Sequence, residues 1–73
     1  MVIQPGTGST LVISWENKEN SMGQLTVNYL GIDTVYPIPP NSVGGTSIFN
    51  QTQPVTIRNS GSVPITVCYQ YQG

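Results

Sequence analysis

The chain of 73 residues has no histidine, no alanine, a single cysteine and very little charge. Each shortage excludes something. Without histidine, neither a Ser-His-Asp triad nor a Cys-His pair can activate a nucleophile. A tetrahedral zinc site needs four good ligands, and a hard cation needs several clustered oxygens. The acidic and thiol side chains are only Glu16, Glu19, Asp33 and Cys68. Glu16 and Glu19 fall at a polar turn, with little room for the cleft a glycosidase pair requires. No phosphate-binding glycine loop is present, because Gly6-Thr7-Gly8 lacks the strand–loop–helix setting of such motifs. The expectation is a protein that is no enzyme and uses no cofactor and no metal.

Only 7% of the residues are charged, against roughly 25% in ordinary soluble domains. Lys18 and Arg58 cannot build the basic patch that phosphates demand, so no nucleic acid and no anionic membrane is an expected partner. No apolar stretch approaches the roughly 20 residues of a spanning helix. Met1 to Ser9 has neither the basic nor the apolar part of a signal peptide. An extracellular destination would then be reached by lysis, by a non-standard route, or after removal of a preceding segment.

What the sequence does contain is neutral polarity. Ser, Thr, Asn and Gln make up 27 of the 73 residues. Thr, Val, Ile and Tyr favour strands, and the best helix former is absent. Near-zero net charge favours association. A domain this small is marginal alone and ordinarily adds a disulfide, a metal or an oligomeric contact. One cysteine gives no intrachain disulfide, which leaves self-association. Two surfaces fit that composition: one that meets copies of itself, and one that meets neutral glycans.

Period-two alternation begins at Thr10. Leu11, Ile13 and Trp15 alternate with Val12, Ser14 and Glu16, and Leu25, Val27 and Tyr29 alternate with Gln24, Thr26 and Asn28. A strand from Thr34 to Ile38 ends at Pro39-Pro40, so Tyr36 to Pro40 is expected on an edge or leaving the sheet. Asn41 to Gly45 is expected to be a loop and Thr46 to Asn50 a strand. Val55 and Ile57 lead to Asn59-Ser60-Gly61-Ser62, a hairpin signal before a last strand from Val63 to Tyr71. About six strands at spacings of roughly 8–12 residues indicate an all-β fold, a small antiparallel β-sandwich or jelly-roll-like barrel. Residues 1–10 stand apart: Val2 and Ile3 are followed by Pro5, Gly6 and Gly8, which suggests a flexible N-terminal arm or connector, either a frayed terminus or an arm that docks on a neighbour, before a single domain over residues 11–73.

Trp15, Tyr29 and Tyr69 are expected in the core with Leu25, Val27, Ile57 and Val67. The candidate subunit contacts are Val2, Ile3 and Pro5 in the arm, with Tyr36 and Tyr71 at strand ends. Cys68 is either a small buried hydrophobe or the partner of another copy's Cys68 in an intermolecular disulfide. Asn50-Gln51-Thr52 fits a glycosylation acceptor, accidental without a signal peptide. Edges are normally blunted by charge or proline, and Pro37 to Pro40 is the one guard in view. The other edge is free to pair with a neighbouring strand.

Three stretches carry a resemblance: GQLTVNYLG (23–31), NSVGGTS (41–47) and PVTIRNSGSVPITVCYQY (54–71). Residues 23–71 resemble the β-sandwich subunits of bacillus endospore appendages, the Ena-like fibres. The resemblance implies a neutral, Thr/Val-rich subunit that assembles inside the mother cell and is released by lysis. It also implies an N-terminal connector bridging stacked subunits, a role that falls by position on Met1 to Thr10. Connector cysteines for cross-linking have no counterpart here, so the arm cannot link covalently. The leading expectation is a structural subunit of an extracellular or spore-surface fibre, with copies of itself as partners. The alternatives are a small carbohydrate-binding module or lectin, and a phage or virus decoration or fibre protein.

Overall fold

The computed structural model describes residues 1–6 and 10–72. It is all-β: seven strands in two antiparallel sheets, with no helix among the described residues. The strands are β1 (Val2–Ile3), β2 (Thr10–Asn17), β3 (Gly23–Tyr29), β4 (Ile32–Ile38), β5 (Ser42–Phe49), β6 (Val55–Asn59) and β7 (Thr66–Gln72). Sheet A has the order β1-β6-β3-β4 and sheet B the order β5-β2-β7. The sheets bury Leu11, Ile13 and Trp15 of β2 against Leu25, Val27, Ile38, Val55 and Ile57 of sheet A. The alternation along β2 and β3 therefore selects the inner face, as the period of two requires.

The β3–β4 hairpin turns at Leu30 and Gly31, both with positive φ (54° and 76°). Such a pair is the two-residue turn that matches strand twist. The other strong turn signal does something different. Asn59 Oδ1 accepts the Gly61 N–H at 3.0 Å, and Asn59 Nδ2 donates to the Val63 carbonyl at 2.8 Å. The chain does turn there, but it makes no hairpin: β6 lies in sheet A and β7 in sheet B. Val63 and Ile65 fill the space that a side chain at Gly23 would need, which carries the connection across the end of the sandwich.

Two more expectations change. Gly44 and Gly45 lie inside β5, not in a loop. A Cβ at Gly44 would stand 2.7 Å from the Trp15 Nε1, and one at Gly45 would stand 2.6 Å from the Ile13 carbonyl oxygen. The glycines permit close approach within a strand, which turn statistics cannot distinguish from a loop. Because the obstacle at Gly45 is backbone, Gly45→Ala is expected to destabilise the fold by about 2 kcal/mol, measured by denaturant unfolding.

The seventh strand is β1, which falls in the segment expected to be an arm. Val2 pairs with Thr56 and Ile3 with Val55 at the edge of sheet A. The Met1 amine donates to the Ile57 carbonyl at 3.0 Å, and the Ile57 N–H donates to the Met1 carbonyl at 2.8 Å. The expected hinge from Pro5 to Gly8 falls partly outside the described residues.

Candidate functional site

The five candidate contacts do not come together as one patch. Val2 projects from the outer face of sheet A and is 59% exposed, whereas Ile3 is 1% exposed. Ile3 is thus a core residue and not an exposed contact, because the period of two turns it inward beside Val55. Gln51 Nε2 donates to the Ile3 carbonyl at 3.0 Å, and the Tyr71 hydroxyl donates to the Gln4 carbonyl. Pro5 is exposed, and the next residue, Gly6, leaves the space that the Tyr71 ring occupies. Tyr71 is therefore half-buried and engaged within the chain. Tyr36 is also engaged: its ring lies 4.9 Å from that of Trp15, and its hydroxyl donates to Thr46 Oγ1 at 3.2 Å, linking β4 to β5.

Cys68 is exposed. It lies midway along β7 and opposite Ser14, on the outer face of sheet B. That face is nearly free of charge: the rows Val43-Glu16-Thr66, Gly45-Ser14-Cys68 and Ser47-Val12-Gln70 contain Glu16 alone.

The edges are asymmetric. On sheet A, β4 carries Asp33 and Pro37, and the opposite edge has Arg58 and only a two-residue β1. Asp33 and the proline blunt pairing in the usual way. On sheet B, both edges are long and contain neither charge nor proline: eight residues in β5 and seven in β7. The sequence predicted a guarded edge and an unguarded one, and the topology distributes them between the two sheets.

Between β4 and β5 the sandwich gapes. A cleft of about 250 Å³ is lined by Val27, Tyr29, Leu30, Ile32, Tyr36 and Ile48, with Thr34, Thr46 and Ser47 as its polar lining. Beside it the Tyr29 hydroxyl accepts the Thr52 N–H at 2.9 Å and lies 3.5 Å from Thr52 Oγ1. Those contacts, the side-chain one foremost, hold the Tyr29 phenol below its ordinary pKa.

No family model, curated protein or solved structure matches this chain. The functional reading is therefore carried by the surfaces alone.

Sequence reasoning missed Tyr69, Ile32 and Leu30. Tyr69 was expected in the core and is 49% exposed. Alternation assigns it correctly to the inner face, opposite Ile13. It cannot tell that β7 is an edge strand whose inner face is incompletely covered. Asn17 was also missed: it is fully buried, and its Nδ2 contacts the carbonyls of Ser21, Ile38 and Pro39 at 2.9, 3.2 and 3.2 Å. An Asn just before a polar turn is the one hint the sequence offered.

Proposed function

We propose that this protein is a structural subunit of a self-assembling extracellular or spore-surface fibre, joined by its sheet edges. The carrying observation is that the two long edges of sheet B contain no charge and no proline. Unpaired N–H and C=O groups along such an edge template another strand. Low charge also limits repulsion between stacked copies, with five charged side chains in the whole chain. Partner copies would complete the domain's limited burial, which suits a chain with no intrachain disulfide. In this reading no catalysis takes place and the other partners are at most neutral glycans.

The exposed Cys68 thiol projects from the outer face of sheet B, not along its edge. A Cys68–Cys68 disulfide, formed when an external oxidant removes two electrons and two protons, would therefore join copies face to face. It would reinforce neighbouring fibres and not extend one.

The test is negative-stain electron microscopy with sedimentation velocity across protein concentration and salt. Assembly driven by apolar burial and main-chain hydrogen bonds is expected to persist in molar sodium chloride, where surface ion pairs are screened. Sulfate should strengthen it, because excluded salts favour burial. A monomer at every concentration and salt would refute the fibre reading.

A further inference from the structure

Both open sides of the sandwich expose side chains that point inward. At the β7 side, Tyr69 is level with the buried Ile13 yet 49% exposed. Its ring meets Tyr71 edge-on, with centroids 6.2 Å apart and planes at 82°. At the β4–β5 side, Ile32 stands opposite Tyr29 on the inner face of sheet A yet is 68% exposed. It borders the apolar cleft.

Leu30 adds an independent observation. It occupies a left-handed position (φ 54°) in the turn at the cleft's rim and is 59% exposed. A bulky residue there is an outlier where Asn or Gly is favoured. Nothing within the monomer compensates for that strain through burial. A strained, exposed apolar residue indicates a surface used for something else.

We propose that the β4–β5 cleft receives the Tyr69 side chain of a second copy, whose β7 lies along β5. The inference rests on the self-assembly reading and specifies its contact. Size favours a side chain as occupant: the cleft holds about 250 Å³, below the roughly 300–1,000 Å³ of small-molecule pockets. Charge favours it too, since neither the cleft lining nor β7 contains a charged residue. No ion is desolvated on docking, so the penalty of burying charge does not arise. Tyrosine is also among the residues that most often anchor interfaces.

Direction follows from topology. β5 and β7 both run antiparallel to β2, so they run the same way. A copy displaced along sheet B with its faces retained brings its β7 alongside β5 in parallel. Its inner face then continues that of Thr46 and Ile48, and Tyr69 turns toward the cleft. The contact joins two different surfaces, so a pair of copies keeps one free cleft, on one copy, and one free Tyr69, on the other. Repetition builds an open filament, not a closed dimer.

The test is sedimentation velocity on the intact chain, on Tyr69→Arg, on Ile32→Arg and on an equimolar mixture of the two variants. Both residues are exposed, and circular dichroism checks that each variant folds. Each variant alone is expected to stay monomeric where the original chain assembles. The mixture is expected to give a two-chain species and nothing longer, because Tyr69 of Ile32→Arg enters the intact cleft of Tyr69→Arg. Leu30→Asn is expected to raise the unfolding temperature while weakening assembly about tenfold, a combination that misfolding cannot produce. Variants that assemble like the original chain, or a mixture that gives no two-chain species, would overturn the cleft contact and leave self-assembly to another surface. An original chain that never assembles would overturn both.

Discussion

Ile3→Ala is expected to lower the unfolding free energy by about 3 kcal/mol, whereas Val2→Ala, one residue away, changes it by less than about 0.5 kcal/mol. The contrast arises because adjacent strand residues face opposite ways. Ile3 is 1% exposed and packs with Val55, while Val2 stands on the outer face. A loss of about 3 kcal/mol is large for this chain, since a domain of this length holds roughly 4–11 kcal/mol in total. Denaturant titration followed by Trp15 fluorescence would measure it, because Trp15 lies in the same core. Equal effects at the two positions would mean that β1 is not docked on β6 in solution. The result also governs how truncation is interpreted. Removing the first residues takes Ile3 out of the core, so loss of assembly in such a chain reports folding as well as association.

The second large effect is expected at Asn17. Its amide ties the end of β2 to the Ile38 and Pro39 carbonyls, where the chain leaves sheet A for sheet B, and its Oδ1 accepts the Glu19 N–H at 2.9 Å. Asn17→Ala strands these groups and is expected to cost about 3 kcal/mol, since each unsatisfied buried partner costs about 1–3 kcal/mol. Asn17→Asp keeps the shape but sets a carboxylate against carbonyl oxygens in a fully buried site. Burial and those oxygens raise its folded pKa above the unfolded value of about 3.9. The folded state then holds more protons than the unfolded one as pH rises from that value. Stability is retained below it and falls until pH passes the folded pKa. Unfolding curves at acidic and neutral pH would measure the difference. A variant equally stable at both would show that Asn17 is not the buried donor described.

Much of the fold was legible in the sequence. Alternation from Leu11 to Glu16 and from Gln24 to Tyr29 marked two strands and their inner faces, although Asn17 and Gly23, assigned to the turn between them, belong to the strands, and Pro39-Pro40 marked where an edge strand ends. The errors share a cause. Gly44-Gly45 suggested a loop because two glycines break most strands, but here they let β5 approach Trp15 and the Ile13 backbone. Asn59 to Ser62 suggested a hairpin because the local turn chemistry is present, but a turn does not specify which sheet receives the next strand. Tyr36 and Tyr71 lie at strand ends, where a sequence leaves them free for contact, and both are engaged inside the chain by groups distant in sequence, Trp15 and Gln4.

The sequence alone therefore determined the composition-level facts and the local ones: an all-β chain, the direction that residues face in the strands whose alternation was read, and the scarcity of groups for catalysis or metal binding. These depend on residue identity and a period of two. Tertiary structure alone decided which strands are edges, that Ile3 lies inside, and that Tyr69 and Ile32 remain exposed. Alternation says toward which face a side chain points. Burial requires that an opposing sheet extend over it, and that depends on strands brought together from distant parts of the chain.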